Sequence, residues 1–479
     1  MDQQKKIAVF PPSTESFTKE GRKLPQYCAA LSATLGALAF GSALGWSTAA
    51  GDNGVDLIAE YGVPMSISEF SWMGSITNVG AALMCLPIGT VMDHLGRRPS
   101  MLLLVIPFTI GWALLIWSNS VAMFCIGRFL VGVGGGAFCV AIPVYTAEIG
   151  ETSIRGSLGS YVELMLCAGV VISYSLGAFA TIYQLSLVCA MIPLIFLVVF
   201  YFMPESPIYC LMKNREDLAR ASLLWLRGPN YDIEKEINIH KTALEEEARN
   251  KGSFLEGIRS KAAQKGIVIA YGLMIFQQLS GINAIVFYTG TVFGKTGSIS
   301  PEISTIIVGA LQVPAVFIST LLVDRAGRKI LLLISIISMS IGTFAVGIYF
   351  YLEHIKADVS QIWWLPLIAV SFYIFMISIG IGPIPWMMVG EIFSPQIKGI
   401  AGSSAGFLNW MMAFIVTRFY NDLLAIFGQH TMFWIFSVIC AMGAVFVVFI
   451  VPETKGKSLE QIQIELSGKP VPECEITKA

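Results

Sequence analysis

Three carboxamides, Gln277, Gln278 and Asn283, stand in the stretch Gln277-Gln278-Leu279-Ser280-Gly281-Ile282-Asn283-Ala284-Ile285-Val286-Phe287-Tyr288, inside an apolar run long enough to cross a bilayer. A neutral amide both donates and accepts hydrogen bonds, so these residues suit recognition of a polar, uncharged group. Left unpaired in hydrocarbon, each would cost several kcal/mol, so they must face a partner helix or a wet cavity. In an unbroken helix Gln277 and Asn283 would point about 120° apart at ~100° per residue. A helix that unwinds at Ser280-Gly281 brings them to one pocket, and broken helices near the bilayer midplane are where transporters bind solutes.

The elements that must position them are membrane spans. The 479 residues are 55% hydrophobic and 13% charged, with mean hydropathy +0.70, far too apolar for a soluble domain of this length. Apolar runs place twelve spans near 26–50, 67–92, 99–118, 120–144, 157–181, 183–203, 266–292, 302–323, 328–352, 362–389, 399–423 and 430–451. The long polar segment 204–265 divides them six and six and reads as a solvated linker with short helices such as 231–249. Of the 31 Lys and Arg, 27 fall on the side of the termini, leaving Lys295, Lys356 and Arg418 opposite and Arg128 inside a span. Both termini and the central loop are therefore expected in the cytosol, with no signal peptide in the polar first 25 residues.

A net charge of −1 without a basic stripe sets nucleic acid aside as a partner. The nine cysteines lack CxxC spacing and the four histidines are scattered, which suits free buried thiols and gives no metal site. The glycines of 132–136 lie within an apolar span, where they serve close helix packing rather than a nucleotide loop. The stretch 290–296 is one residue short of a phosphate-loop spacing, and no catalytic constellation accompanies it, so neither an enzyme nor a cofactor is expected.

The two halves repeat each other. Asp93-His94-Leu95-Gly96-Arg97-Arg98 returns as Asp324-Arg325-Ala326-Gly327-Arg328-Lys329; Glu148 and Arg155 return as Glu391 and Lys398; Pro204-Glu205-Ser206 returns as Pro452-Glu453-Thr454. Three landmarks in the same order indicate a duplicated six-helix unit. All lie at the termini side of their spans, where acids and cations can pair between helices and between halves. A network of Asp93, Arg97, Glu148, Arg155 and Glu205 with its twin, Asp324, Arg328, Glu391, Lys398 and Glu453, is the expected gate on that side.

These motifs, with Gly127-Arg128-Phe129, Gly382-Pro383-Ile384-Pro385-Trp386 and Pro452-Glu453-Thr454-Lys455-Gly456, resemble the sugar porters of the major facilitator superfamily over 26–460, most closely insect facilitated trehalose and glucose transporters. The resemblance implies an all-α integral membrane protein of the major facilitator fold, with twelve transmembrane helices in two pseudo-symmetric six-helix bundles. It divides the chain into a tail (1–25), a first bundle (26–203), a linker (204–265), a second bundle (266–451) and a second tail (452–479). It implies a monomeric transporter in the cell membrane, moving a hexose or trehalose by alternating access. The family's sugar contacts fall on Gln277, Gln278, Asn283, Gln312, Trp386, Asn409 and Trp410, and its aromatic lid on Phe287 and Tyr288.

Gly382-Pro383-Ile384-Pro385 withholds two backbone donors from its span and, like Gly281, invites a bend. One departure stands out. Glu163 occupies a position where the family commonly has a sugar-binding Gln, with Arg128 as a candidate countercharge. The first span contains no acid, which favours uniport, with Glu163 as a hydroxyl acceptor, over proton symport; a sugar sensor on the same fold is the third alternative.

Overall fold

The computed structural model of the chain describes residues 20–51, 54–249, 259–286, 300–457 and 459–467, all within helices and short connections. Phe287, Tyr288 and the stretch 290–296 lie outside the described residues, as does the side chain of Asp324.

The first six spans are α1 (Lys23–Ala49), α2 (Ile67–Cys85), α3 (Arg97–Ile116), α4 (Val121–Ile149), α5 (Arg155–Gly177) and α6 (Ile182–Tyr201). After a break at Leu86-Pro87, α2 continues as Ile88–Leu95, bent by 49°. Three shorter helices follow: α7 (Pro207–Met212), α8 (Glu216–Arg227) and α9 (Ile233–Arg249). The second set comprises α10 (Lys261–Leu279), α11 (Pro301–Ala326), α12 (Arg328–His354), α13 (Leu365–Ile379) with α14 (Ile384–Ile392), α15 (Pro395–Phe427) and α16 (Gln429–Phe449), followed by α17 (Leu459–Ser467). Counting the bent pair as one span, the described helices give twelve long and apolar enough to cross a membrane.

Span ends are written in cap chemistry. Ser66 and Glu69 exchange side-chain and backbone bonds at the start of α2, and Thr181 and Gln184 do the same for α6, satisfying donors that a helix start leaves unpaired. Inside the first half, α1 packs on α5 and α2 on α4. The glycines of α4 make that approach possible: a Cβ on Gly132 would lie 2.0 Å from the Thr77 carbonyl oxygen, and one on Gly135 would lie 1.8 Å from the Phe40 ring. The halves meet where α2 lies along α15 and α5 along α11.

Two spans of the second half are broken, both at the positions that glycine and proline mark. Helix α10 stops at Leu279; Gly281 takes φ +92°, and the chain resumes helical geometry over 282–286. A side chain at Gly281 would also run into the Phe436 ring at 2.7 Å. Between α13 and α14 the backbone unwinds over 380–383. The exposed backbone groups are taken up by neighbours: Ser335 donates to the Met376 carbonyl and accepts from the Ile381 N–H, and Ser319 donates to the Ile379 carbonyl.

Candidate solute site

The breaks gather the amides. Gln277, at the last turn of α10, donates to the carbonyls of Ile381 (2.6 Å) and Gly382 (2.8 Å), so its side chain bridges one break to the other. Its Oε1 accepts from Asn409 Nδ2 of α15 at 2.6 Å. Gln278 donates to Asn409 Oδ1 at 3.1 Å and accepts from Asn283 Nδ2. The unwound turn at Ser280-Gly281 carries Asn283 round to its partner; Ser280 is itself held by Tyr373 at 3.1 Å. Gln277, Gln278 and Asn409 are nearly inaccessible, and Asn283 is half-buried. Four neutral amides from two helices thus form one connected group, as a polar network in an apolar bundle requires.

Two further predicted residues hold unused donors. Gln312 on α11 and Trp410 on α15 are 8% and 7% exposed, yet Gln312 Nε2 and Trp410 Nε1 have no partner. Buried donors are ordinarily paired, so each is an invitation to a bound group. Trp410 meets Phe40 of α1 edge-on at 5.2 Å between ring centres, bringing the two halves into contact beside the amides. Trp386, half-buried on α14, packs near Gly406 and, like Tyr271, against the cluster around Met274 and Phe393.

Glu163 is half-buried on α5, within electrostatic reach of the Cys139 and Cys167 thiols, and among the described residues no cation pairs with it. The countercharge expected from Arg128 is absent. Arg128 is fully buried, donates to the Ala43 carbonyl (2.6 Å) and Ser47 Oγ (2.7 Å) of α1, and lies over the Trp46 ring at 5.3 Å. Among the described residues the guanidinium is held by a carbonyl, a hydroxyl and an aromatic face, with no carboxylate against it and its Nε without a partner.

At the termini side the repeated charges form two matching clamps. Arg97 grips Glu148 with two nitrogens (2.8 and 2.9 Å) and reaches Asp93 at 3.1 Å; Arg328 reaches Glu391 at 2.9 Å. Glu205 accepts from the backbone N–H groups of Arg97 and Arg98, capping α3, and Glu453 accepts from those of Arg328 and Lys329, capping α12. The pKa values of the two capping carboxylates are displaced in opposite directions. Burial pushes Glu205 above the usual carboxylate range despite its amide bonds, whereas the amides of Lys455, Arg328, Lys329 and Thr454 outweigh burial and hold Glu453 below it. Among the described residues no ion pair on this side joins one half to the other. Arg155 and Lys398, the twinned cations, come within electrostatic reach of each other instead.

On the opposite side the halves are joined by contacts that the motifs did not flag. Thr48 of α1 and Tyr174 of α5 both donate to the Val286 carbonyl at 2.9 Å. Along α2 and α15, Asn78 donates to Thr417, Asn421 to Ser71 and Arg418 to Ser68. The sequence signals there were Arg418, with Asp422 four residues on, and small polar residues at three- and four-residue spacing in α2.

A twelve-span helical protein with neutral amides gathered at two central helix breaks is a membrane transporter of the major facilitator class. Residues 26–466 match the family described as "Sugar (and other) transporter", and the chain belongs to it. Among its relatives is the facilitated trehalose transporter Tret1 of Polypedilum vanderplanki, 39% identical over 84% of this chain and 80% of the relative. The Tret1 of Bombyx mori is 36% identical over 92% and 87%. Other relatives are longer; this chain spans 58% of the Anopheles gambiae Tret1, with which it is 38% identical over 97% of its own length. Among solved structures, the major facilitator proton:xylose symporter XylE bound to 6-bromo-6-deoxy-D-glucose superimposes with a TM-score of 0.76 at 26% identity, covering 92% of this chain and 99% of that one.

Proposed function

We propose that the protein is a sugar uniporter of the cell membrane, carrying a hexose or trehalose by alternating access, with both termini in the cytosol and a single chain as the working unit in the bilayer. The observation that carries this reading is the amide group at the paired breaks, with the unused donors of Gln312 and Trp410 beside it. Hydroxyls donate and accept as amides do, and each such bond contributes roughly 0.5–1.5 kcal/mol net. A handful, less the costs of association, amounts to weak binding on the order of millimolar, which suits release. The names of the insect relatives favour trehalose as the cargo. Gln277, Gln278, Asn283, Gln312, Asn409, Trp410, Trp386 and Glu163 are the proposed contacts, and the Arg97 and Arg328 clamps the proposed gate.

Uniport is favoured because α1 carries no acid to exchange a proton against Arg128, which bonds uncharged groups of that helix instead. Uptake of radiolabelled glucose and trehalose into proteoliposomes tests both claims. Equilibration without accumulation is expected, with transport strongly reduced in Gln278→Ala. Unchanged uptake in that variant would remove the site. Accumulation driven by an imposed pH gradient and abolished by Glu163→Gln would replace uniport with proton symport.

A further inference from the structure

On the side away from the termini, α2 and α15 present matching faces. Ser68, Ser71, Trp72 and Asn78 fall at helical spacing on one, and Phe414, Thr417, Arg418 and Asn421 on the other. Arg418 is the centre of the contact. Its side chain is 12% exposed; Nη1 pairs with Asp422 of its own helix at 2.7 Å, Nη2 donates to Ser68 Oγ at 3.2 Å, and the guanidinium carbon lies 5.1 Å from the centre of the Trp72 ring. Trp72 in turn meets Phe414 at 5.6 Å. One helical turn outward Asn421 donates to Ser71 at 3.1 Å, and deeper in the bilayer Asn78 donates to Thr417 at 3.2 Å with both side chains buried.

Among the described residues this seam between the halves is made without an ion pair across it, whereas the clamps on the other side lie inside each half. We propose that Arg418, stacked on Trp72, is the latch of this seam and a positioning residue for transport. It holds the outer ends of the halves together while the solute site faces the cytosol, and its release is part of opening outward. The inference rests on the alternating-access reading and its orientation. The stacked geometry makes a specific demand: a planar guanidinium can lie on an indole while sending one nitrogen to Asp422 and another to Ser68, whereas an ammonium is a point charge that cannot do all three. If Arg418 acted only as a topological charge, lysine would serve equally well.

The test uses the full-length protein in intact cells. A cysteine is placed at Ser75, which is fully buried on α2 between Ser71 and Asn78, and its labelling by a membrane-impermeant thiol reagent is timed against the parent chain. Arg418→Ala, Arg418→Lys and Trp72→Ala are each expected to raise the labelling rate roughly three- to tenfold, the range a lost cation–aromatic contact implies. Trp72→Phe, which keeps an aromatic face, is expected to stay near the parent rate. Labelling unchanged by both Arg418→Ala and Trp72→Ala, at normal surface expression, would overturn the latch, as would full recovery by lysine. If Arg418→Ala does not reach the surface, Trp72→Ala and Arg418→Lys still decide the matter. The readout needs no sugar, so it stands apart from the substrate reading; labelling confined to inside-out vesicles would mark failure of the orientation instead.

Discussion

Gln277 is the residue on which most of the geometry converges, and the reason is donor count. Its two N–H bonds go to carbonyls that the break in the tenth span has released, and its oxygen goes to Asn409. Gln277→Glu would set a carboxylate oxygen against both carbonyls, each unsatisfied group costing about 1–3 kcal/mol. Gln278→Glu loses one donated bond to Asn409 but still accepts from Asn283. The expected order is therefore a larger fall in melting temperature and in expression-normalised uptake for Gln277→Glu than for Gln278→Glu; equal effects would refute the bridging role. The amides were legible in the sequence because polarity inside an apolar run has few explanations. The partners of Arg128 were not, because a backbone carbonyl and a serine leave no pattern, and an acid elsewhere in the same half was the more visible candidate.

Among the elements, α8 and α9 between the halves are joined to the first half through a buried cation. Arg227 of α8 has a side chain 1% exposed; it holds Glu236 of α9 through two nitrogens, donates to the Ile149 carbonyl at 2.8 Å and lies 3.5 Å from Glu151. Glu151 also accepts from Gln26 and from the Gly21 N–H, so the start of the chain joins the same knot. Although burial works against it, bonds from His240 and Arg227 hold Glu236 down at about 2. A carboxylate depressed on folding stabilises above its unfolded pKa, and that contribution fades as pH falls through the folded value. Amide protection over α8 and α9, taken relative to the intrinsic exchange rate at each pH, is thus expected to hold from pH 7 to about 5 and to fall between about 4.5 and 2. In Glu236→Gln the acid-dependent step should be absent, and its persistence would assign the transition to another group. The existence of α9 was readable from charge and amphipathic pattern; its attachment was not, since a solvated linker and a docked one share the same composition.

At the level of the whole molecule, duplication was legible because the clamp motifs repeat in order, but how the copies diverged was not. The first clamp is the drier: Arg97 and Glu148 side chains are 6% and 12% exposed, against 12% and 26% for Arg328 and Glu391. Removing one partner of a buried pair leaves the other uncompensated, at about 3–5 kcal/mol. Arg97→Ala is expected to lower the melting temperature of the solubilised protein more than Arg328→Ala, and the reverse order would show that burial does not set their worth. The contacts between halves were the least legible, because seams of serine, asparagine and threonine look like ordinary helix packing until two helices are laid side by side. A mechanical asymmetry follows from the same divergence. Helix breaks beside the amides occur in the second half, whereas α1 runs 27 residues without interruption, a rod of about 40 Å. Tilting such a rod by about 10° swings its far end by roughly 7 Å, more than one helical pitch. In the proposed alternating-access cycle, unbroken α1 is the rigid arm and the broken spans of the second half are its compliant partner, so a small tilt at the amides moves the membrane end of that arm furthest.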